Sequence, residues 1–88
     1  MKIKQGFVMR DVAGQAVAIA TGEASRNFHG MVKLNATGAA VWRGIEAGQS
    51  QQDIAESLAT RFNIPIEQAT ADVDAFVSHM NDAGILEN

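Results

Sequence analysis

The chain has 88 residues, 47% hydrophobic and 19% charged, with a net charge of −3 and no cysteine. That length holds one core and leaves no room for a second domain, so residues 1–88 are expected to form a single domain, and the composition suits a globular protein rather than a disordered or fibrous one. The lack of cysteine excludes a disulfide framework, a thiolate metal site, an iron–sulfur cluster and a thiol nucleophile, and nowhere do eighteen apolar residues run together to span a membrane.

The start, with Lys2 and Lys4, is not followed by an apolar stretch of signal-peptide length, so the expected compartment is the cytoplasm. Charge is unevenly divided. Residues 1–49 carry six Lys or Arg against three Asp or Glu, a balance of +3, whereas residues 50–88 carry only Arg61 against seven carboxylates, a balance of −6. The two halves present different electrostatic surfaces.

In chain order, Phe7–Val12 and the small apolar run 16–20 flank Ala13-Gly14-Gln15, which predicts a β-hairpin turning at Gly14. Residues 21–30 turn to Gly, Ser, Asn, Arg and His, the chemistry of a loop, and Met31–Leu34 offers a third short strand. Asn35 is a good N-cap, and residues 36–47 set Val41, Trp42 and Ile45 on one helical face before Gly48. Ser50 with Asp53 three positions on fits a capping box opening a second helix. Ile54, Ala55, Leu58 and Phe62 recur at helical spacing until Asn63-Ile64-Pro65, where proline's ring and missing N–H forbid a helix interior. A third helix is expected from Pro65 or Ile66 through Ala69, Val73, Phe76, Val77 and Met80 to a stop at Gly84, with Ile85 and Leu86 folding back on the core. Three strands followed by three helices make an α+β domain, a three-stranded antiparallel β wing followed by a three-helix bundle. A wing of such short strands must lean on the helices, with Trp42 as the hinge of that packing.

The run from Met31 to Trp42 resembles the LN-x-TG-x-x-x-W signature of the PqqD-like family. Gly48, Leu58, the Ile64-Pro65-Ile66 link, Asp72-Val73 and Gly84-Ile85-Leu86 follow in the family's order, so the resemblance covers roughly the whole chain. The long loop at residues 21–29 and Phe62, where tyrosine is also common, are mild departures. The resemblance implies a winged helix-turn-helix-like fold that binds the leader of a ribosomally made precursor peptide. It also implies presentation of that peptide to a modifying enzyme, often a radical SAM enzyme. The better-known member serves pyrroloquinoline quinone biosynthesis, and these residues leave the pathway open. The implied binding mode is strand addition to Met31, Val32, Lys33 and Leu34, with the peptide resting on a helix stripe of Val73, Phe76, Val77 and Met80. Such a mode makes physical sense, because a free edge strand offers unpaired N–H and C=O groups while a helix beside it supplies apolar pockets. Lys33 either meets an acidic leader residue or simply discourages sheet aggregation. Phe76 and Met80 belong to a stripe that would ordinarily be core, with an edge left for a ligand.

Other chemistry finds little footing. His29 and His79 lack a third histidine or an HxxxH spacing, so no metal is expected. Asp72 and Asp74, two apart on a helix, face different ways and do not form an acid–base pair. The serines lack a nucleophile-elbow context, and the glycines lack Walker or dinucleotide spacing. No enzyme activity and no cofactor are called for. A DNA-binding winged helix is the competing reading, but the helix that would enter the groove carries Glu67, Asp72, Asp74 and Asp82 and no Lys or Arg, so nucleic acid is not an expected partner. A self-associating subunit, pairing the same edge with a second copy, is the other alternative.

Overall fold

The computed structural model describes residues 1–26 and 31–87. Strand β1 (Lys2–Ile3) is followed by β2 (Phe7–Val12) and β3 (Gln15–Ala20). A one-turn 3-10 segment (Gly22–Arg26) then leads to β4 (Met31–Leu34). The helices α1 (Ala36–Glu46), α2 (Gln51–Phe62) and α3 (Ile66–Asp82) come next, and β5 (Leu86–Glu87) is the last described element. The expected antiparallel wing is the sheet β2-β3-β4. What the sequence did not announce is a second, two-stranded ribbon in which Lys2 pairs with Glu87 and Ile3 with Leu86.

The hairpin register sets Val12 opposite Gln15, leaving Ala13 and Gly14 as a two-residue turn. Both have positive φ, 52° and 82°, the combination that matches the right-handed twist of the flanking strands. Glycine adopts it freely, whereas alanine bears a steric cost. At the far end of the hairpin Thr21 donates to the Gly6 carbonyl through its backbone N–H (2.6 Å) and its hydroxyl (2.9 Å), closing the ladder. The expected loop at 21–30 is in part ordered into the 3-10 turn; residues 27–30, with His29, lie outside the described residues.

The helix boundaries follow their caps. Asn35 accepts the Gly38 N–H at 2.8 Å, and Ser50 accepts the Asp53 N–H at 3.1 Å. Only the serine half of the expected capping box is made. Asn63 ends α2 in the left-handed conformation, φ 53° and ψ 51°, which asparagine tolerates better than most residues. Pro65 then opens α3 at a position where a missing N–H costs nothing.

One cluster forms the core. Phe7, Ala18 and Leu34 from the sheet meet Val41, Trp42 and Ile45 of α1, Leu58 of α2 and Met80 of α3, with Ile85 beneath. Trp42 is completely buried, as a hinge between wing and helices would be, and its indole N–H has no acceptor among the described residues. Helices α1 and α2 approach closely at Gly44, where an added Cβ would lie 2.7 Å from Ile54 Cγ1.

Candidate functional site

The sheet order leaves β4 paired with β3 on one side, and its other edge carries no strand among the described residues. The β3–β4 register runs from Ala16 opposite Leu34 to Ile19 opposite Met31. Side chains therefore alternate along β4. Leu34 is buried and Val32 half-buried against the core, while Met31, 56% exposed, and Lys33 are exposed to solvent. Gln15 anchors the end of this strand by donating from Nε2 to the Leu34 carbonyl at 2.8 Å.

Beside β4 a groove of about 420 Å³ opens toward α3, within the size range of roughly 300–1,000 Å³ typical of ligand pockets. Val32, Lys33 and Leu34 make the sheet wall; Phe76, His79 and Met80 make the helix wall. Asn35 and Gly38 floor it at the start of α1, and from there a smaller hollow of about 220 Å³ continues toward Thr37, Val41 and Asp72. Phe76 borders both spaces. Its ring sits low because Gly38 has no side chain: a Cβ there would be 3.2 Å from Phe76 Cε2 and 3.2 Å from Asn35 Oδ1. The glycine of the sequence signature therefore sets how close Phe76 of α3 comes to the start of α1.

Of the residues singled out from the sequence, Val32, Lys33, Leu34, Phe76 and Met80 come together around this groove. Met31 lies on the same strand but is not part of the groove wall. Val73, 1% exposed, belongs to the core, and Val77 is packed against it; neither lines the groove. Gln15, Asn35, Gly38 and His79 were not singled out as site residues, yet all four border the groove. A signal for His79 existed: residues 72, 76 and 79 follow one another at four and three, which aligns them on one strip of α3, offset from the strip of Val73, Val77 and Met80. Two other hollows, one beside the β1–β5 ribbon around Lys2 and Phe7 and one between α2 and α3 around Ile66, lie away from β4.

Among the described residues no three His, Asp or Glu side chains gather as a metal site would require, and no helix is long and apolar enough to cross a membrane. The exposed carboxylates of α3 (Glu67, Asp74 and Asp82) face solvent without a Lys or Arg on the same helix.

No curated protein sequence matches the chain significantly. Two solved structures share its fold. TbiB1, solved in complex with the TbiA(beta) leader peptide, superposes with a TM-score of 0.81 at 18% identity, covering 100% of this chain and 96% of that one. Lasso peptide synthetase B1, complexed with the leader peptide, gives 0.81 at 17% identity, covering 99% of this chain and 96% of that one. The model of the coenzyme PQQ synthesis protein D family matches residues 10–86, and with the signature residues placed around the groove, the chain belongs to the PqqD family.

Proposed function

We propose that the chain is a non-catalytic recognition module, a peptide chaperone that binds the leader of a ribosomally made precursor peptide and hands it to a separate modifying enzyme. In this reading residues 1–88 act as one domain, the leader adds as a strand to the free edge of β4, and its inward side chains enter the groove against α3. The carrying observation is the coincidence of a strand edge that is unpaired among the described residues with a groove of about 420 Å³ beside it. Membership in the PqqD family and the leader peptides bound to both solved structures of this fold support the reading.

Magnitudes show why both parts are needed. A four-residue edge turns alternate backbone groups outward, enough for about four hydrogen bonds to a peptide. At roughly 0.5–1.5 kcal/mol net each they give ~2–6 kcal/mol. That does not exceed the association cost of about 4–15 kcal/mol by a useful margin. Side chains in the groove must provide the rest, and they also provide the sequence preference. The modifying enzyme is, in this account, a radical SAM enzyme of pyrroloquinoline quinone or related peptide-derived product biosynthesis, acting in the cytoplasm. The acidic surface of α3 argues against DNA as the partner, because phosphate contacts need Lys and Arg.

An NMR titration of labelled protein with leader peptides encoded in its own genome tests the proposal. Amide shifts concentrated at 31–34 and 72–80 are expected. A complete absence of shifts there, with β4 instead protected by self-association in sedimentation, would transfer the edge to a dimer.

A further inference from the structure

The groove has a charge order. At the end formed by β4 and the last turn of α3 it is bordered by Lys33 and His79, and among the described residues no carboxylate lines it there. At the other end, past Phe76, the charged residue lining the hollow is Asp72. None of the three has an ion-pair partner among the described residues. Between them lie the apolar faces of Val32, Leu34, Phe76 and Met80.

We infer that the groove selects peptides in which an acidic residue, an apolar residue and a basic residue follow in that order from the Lys33–His79 end to the Asp72 end. The inference rests on the peptide-binding reading above and specifies its substrate class. Lys33 attracts a carboxylate as a point charge, and the His79 imidazole donates an N–H to it in either protonation state. Asp72, as a carboxylate, accepts from a Lys or Arg. The spacing follows from helix and strand geometry. Asp72 and His79 are seven residues apart on α3, about 10 Å at ~1.5 Å per residue. An extended peptide covers that length in about three residues at ~3.3 Å each, so the two charges sit about two to four positions apart. Because α3 runs opposite to the path from β4 into α1 along this groove, the charge order ties the peptide's sequence polarity to the direction in which it lies. A strand antiparallel to β4 reads basic, apolar, acidic from its N-terminus, and a parallel one reads the reverse.

Panning a phage-displayed random dodecapeptide library on the intact chain tests this. The expected outcome is enrichment of sequences with Asp or Glu and Lys or Arg two to four positions apart around an apolar residue. Panning on the Lys33→Glu, His79→Glu double variant should enrich Lys or Arg in place of the acid, and Asp72→Lys should enrich an acid in place of the base. The peptides selected by the original chain should bind the reversed variants about five- to tenfold more weakly, as exposed ion pairs allow. Lys33 and His79 are exposed, so these reversals spare the core; should a reversed variant unfold, Lys33→Gln, His79→Gln and Asp72→Asn must abolish the charge preference instead. Enriched peptides with an apolar anchor but no charge preference, or a preference that reversal leaves unchanged, would overturn the charge order while leaving the groove as a peptide site. Failure to enrich any sequence that competes for the β4 edge would overturn both.

Discussion

Gly38→Ala separates the groove from the stability of the fold. The new Cβ would lie 3.2 Å from the capping Asn35 Oδ1, 3.2 Å from Phe76 Cε2 and 3.5 Å from Cδ2, the ring contacts inside or at the edge of the roughly 3.5–4.0 Å optimum for carbon pairs. The ring must therefore move outward by a few tenths of an ångström, and because Phe76 is only half-buried it has the groove to move into. Overpacking of this kind costs about 1–3 kcal/mol, while replacing glycine by alanine within α1 returns about 1 kcal/mol of helix propensity. Net destabilisation of about 0–2 kcal/mol is expected, a fall in Tm of no more than roughly 8–16 °C. Affinity should suffer more than this suggests, since the displaced ring occupies space a leader side chain would fill. A loss of ~1–2 kcal/mol corresponds to about 5- to 30-fold weaker binding. Urea melts together with fluorescence anisotropy of a labelled leader peptide would measure both. Unchanged affinity in the folded variant would show that Phe76 does not shape the binding surface; destabilisation well beyond 3 kcal/mol would show that the ring cannot yield.

Ala13→Asn should stabilise the hairpin by about 0.5–1 kcal/mol, because asparagine accepts the positive φ that alanine bears under strain; a chemical melt showing no gain would contradict the turn geometry. Asn35→Ala removes the acceptor of the Gly38 N–H and should cost about 1 kcal/mol, with Asn35→Asp close to neutral, since both natural side chains cap. Trp42→Phe discards an N–H that has no acceptor among the described residues and so should cost no more than about half the ~3–5 kcal/mol expected for Trp42→Ala; equal losses in thermal unfolding would mean the indole N–H is satisfied in solution.

The three-stranded wing and all three helices were legible because each carries its own local mark. The hairpin has Gly14 between apolar runs, α1 and α2 have side-chain caps at Asn35 and Ser50, and α2 ends where Asn63 and Pro65 forbid continuation. The β1–β5 ribbon had no such mark: two residues per strand display no periodicity, and the pairing of Ile3 with Leu86 joins the two ends of the chain. The groove lies between β4 and α3, the two elements to which the family resemblance pointed, but which side chains line it was not legible in the sequence. Periodicity identified the apolar stripe of α3 that fills the core, which is why Val73 and Val77 were singled out together with Phe76. From α3 the groove takes Phe76 and His79 of the neighbouring strip together with Met80, with Asp72 in the adjoining hollow, and its other members, Gln15, Asn35 and Gly38, are brought to it by the register of β3 on β4 and by the close approach of α1 to α3.

The central claim is that a leader peptide becomes the next strand of this sheet, beside β4. Intermolecular backbone NOEs in a complex of isotope-labelled protein with unlabelled peptide report on it most directly. The account predicts a ladder of peptide contacts to Met31–Leu34 with side-chain contacts to Phe76 and Met80. Contacts confined to the hollow around Ile66 or to the β1–β5 ribbon, with β4 unperturbed, would contradict it.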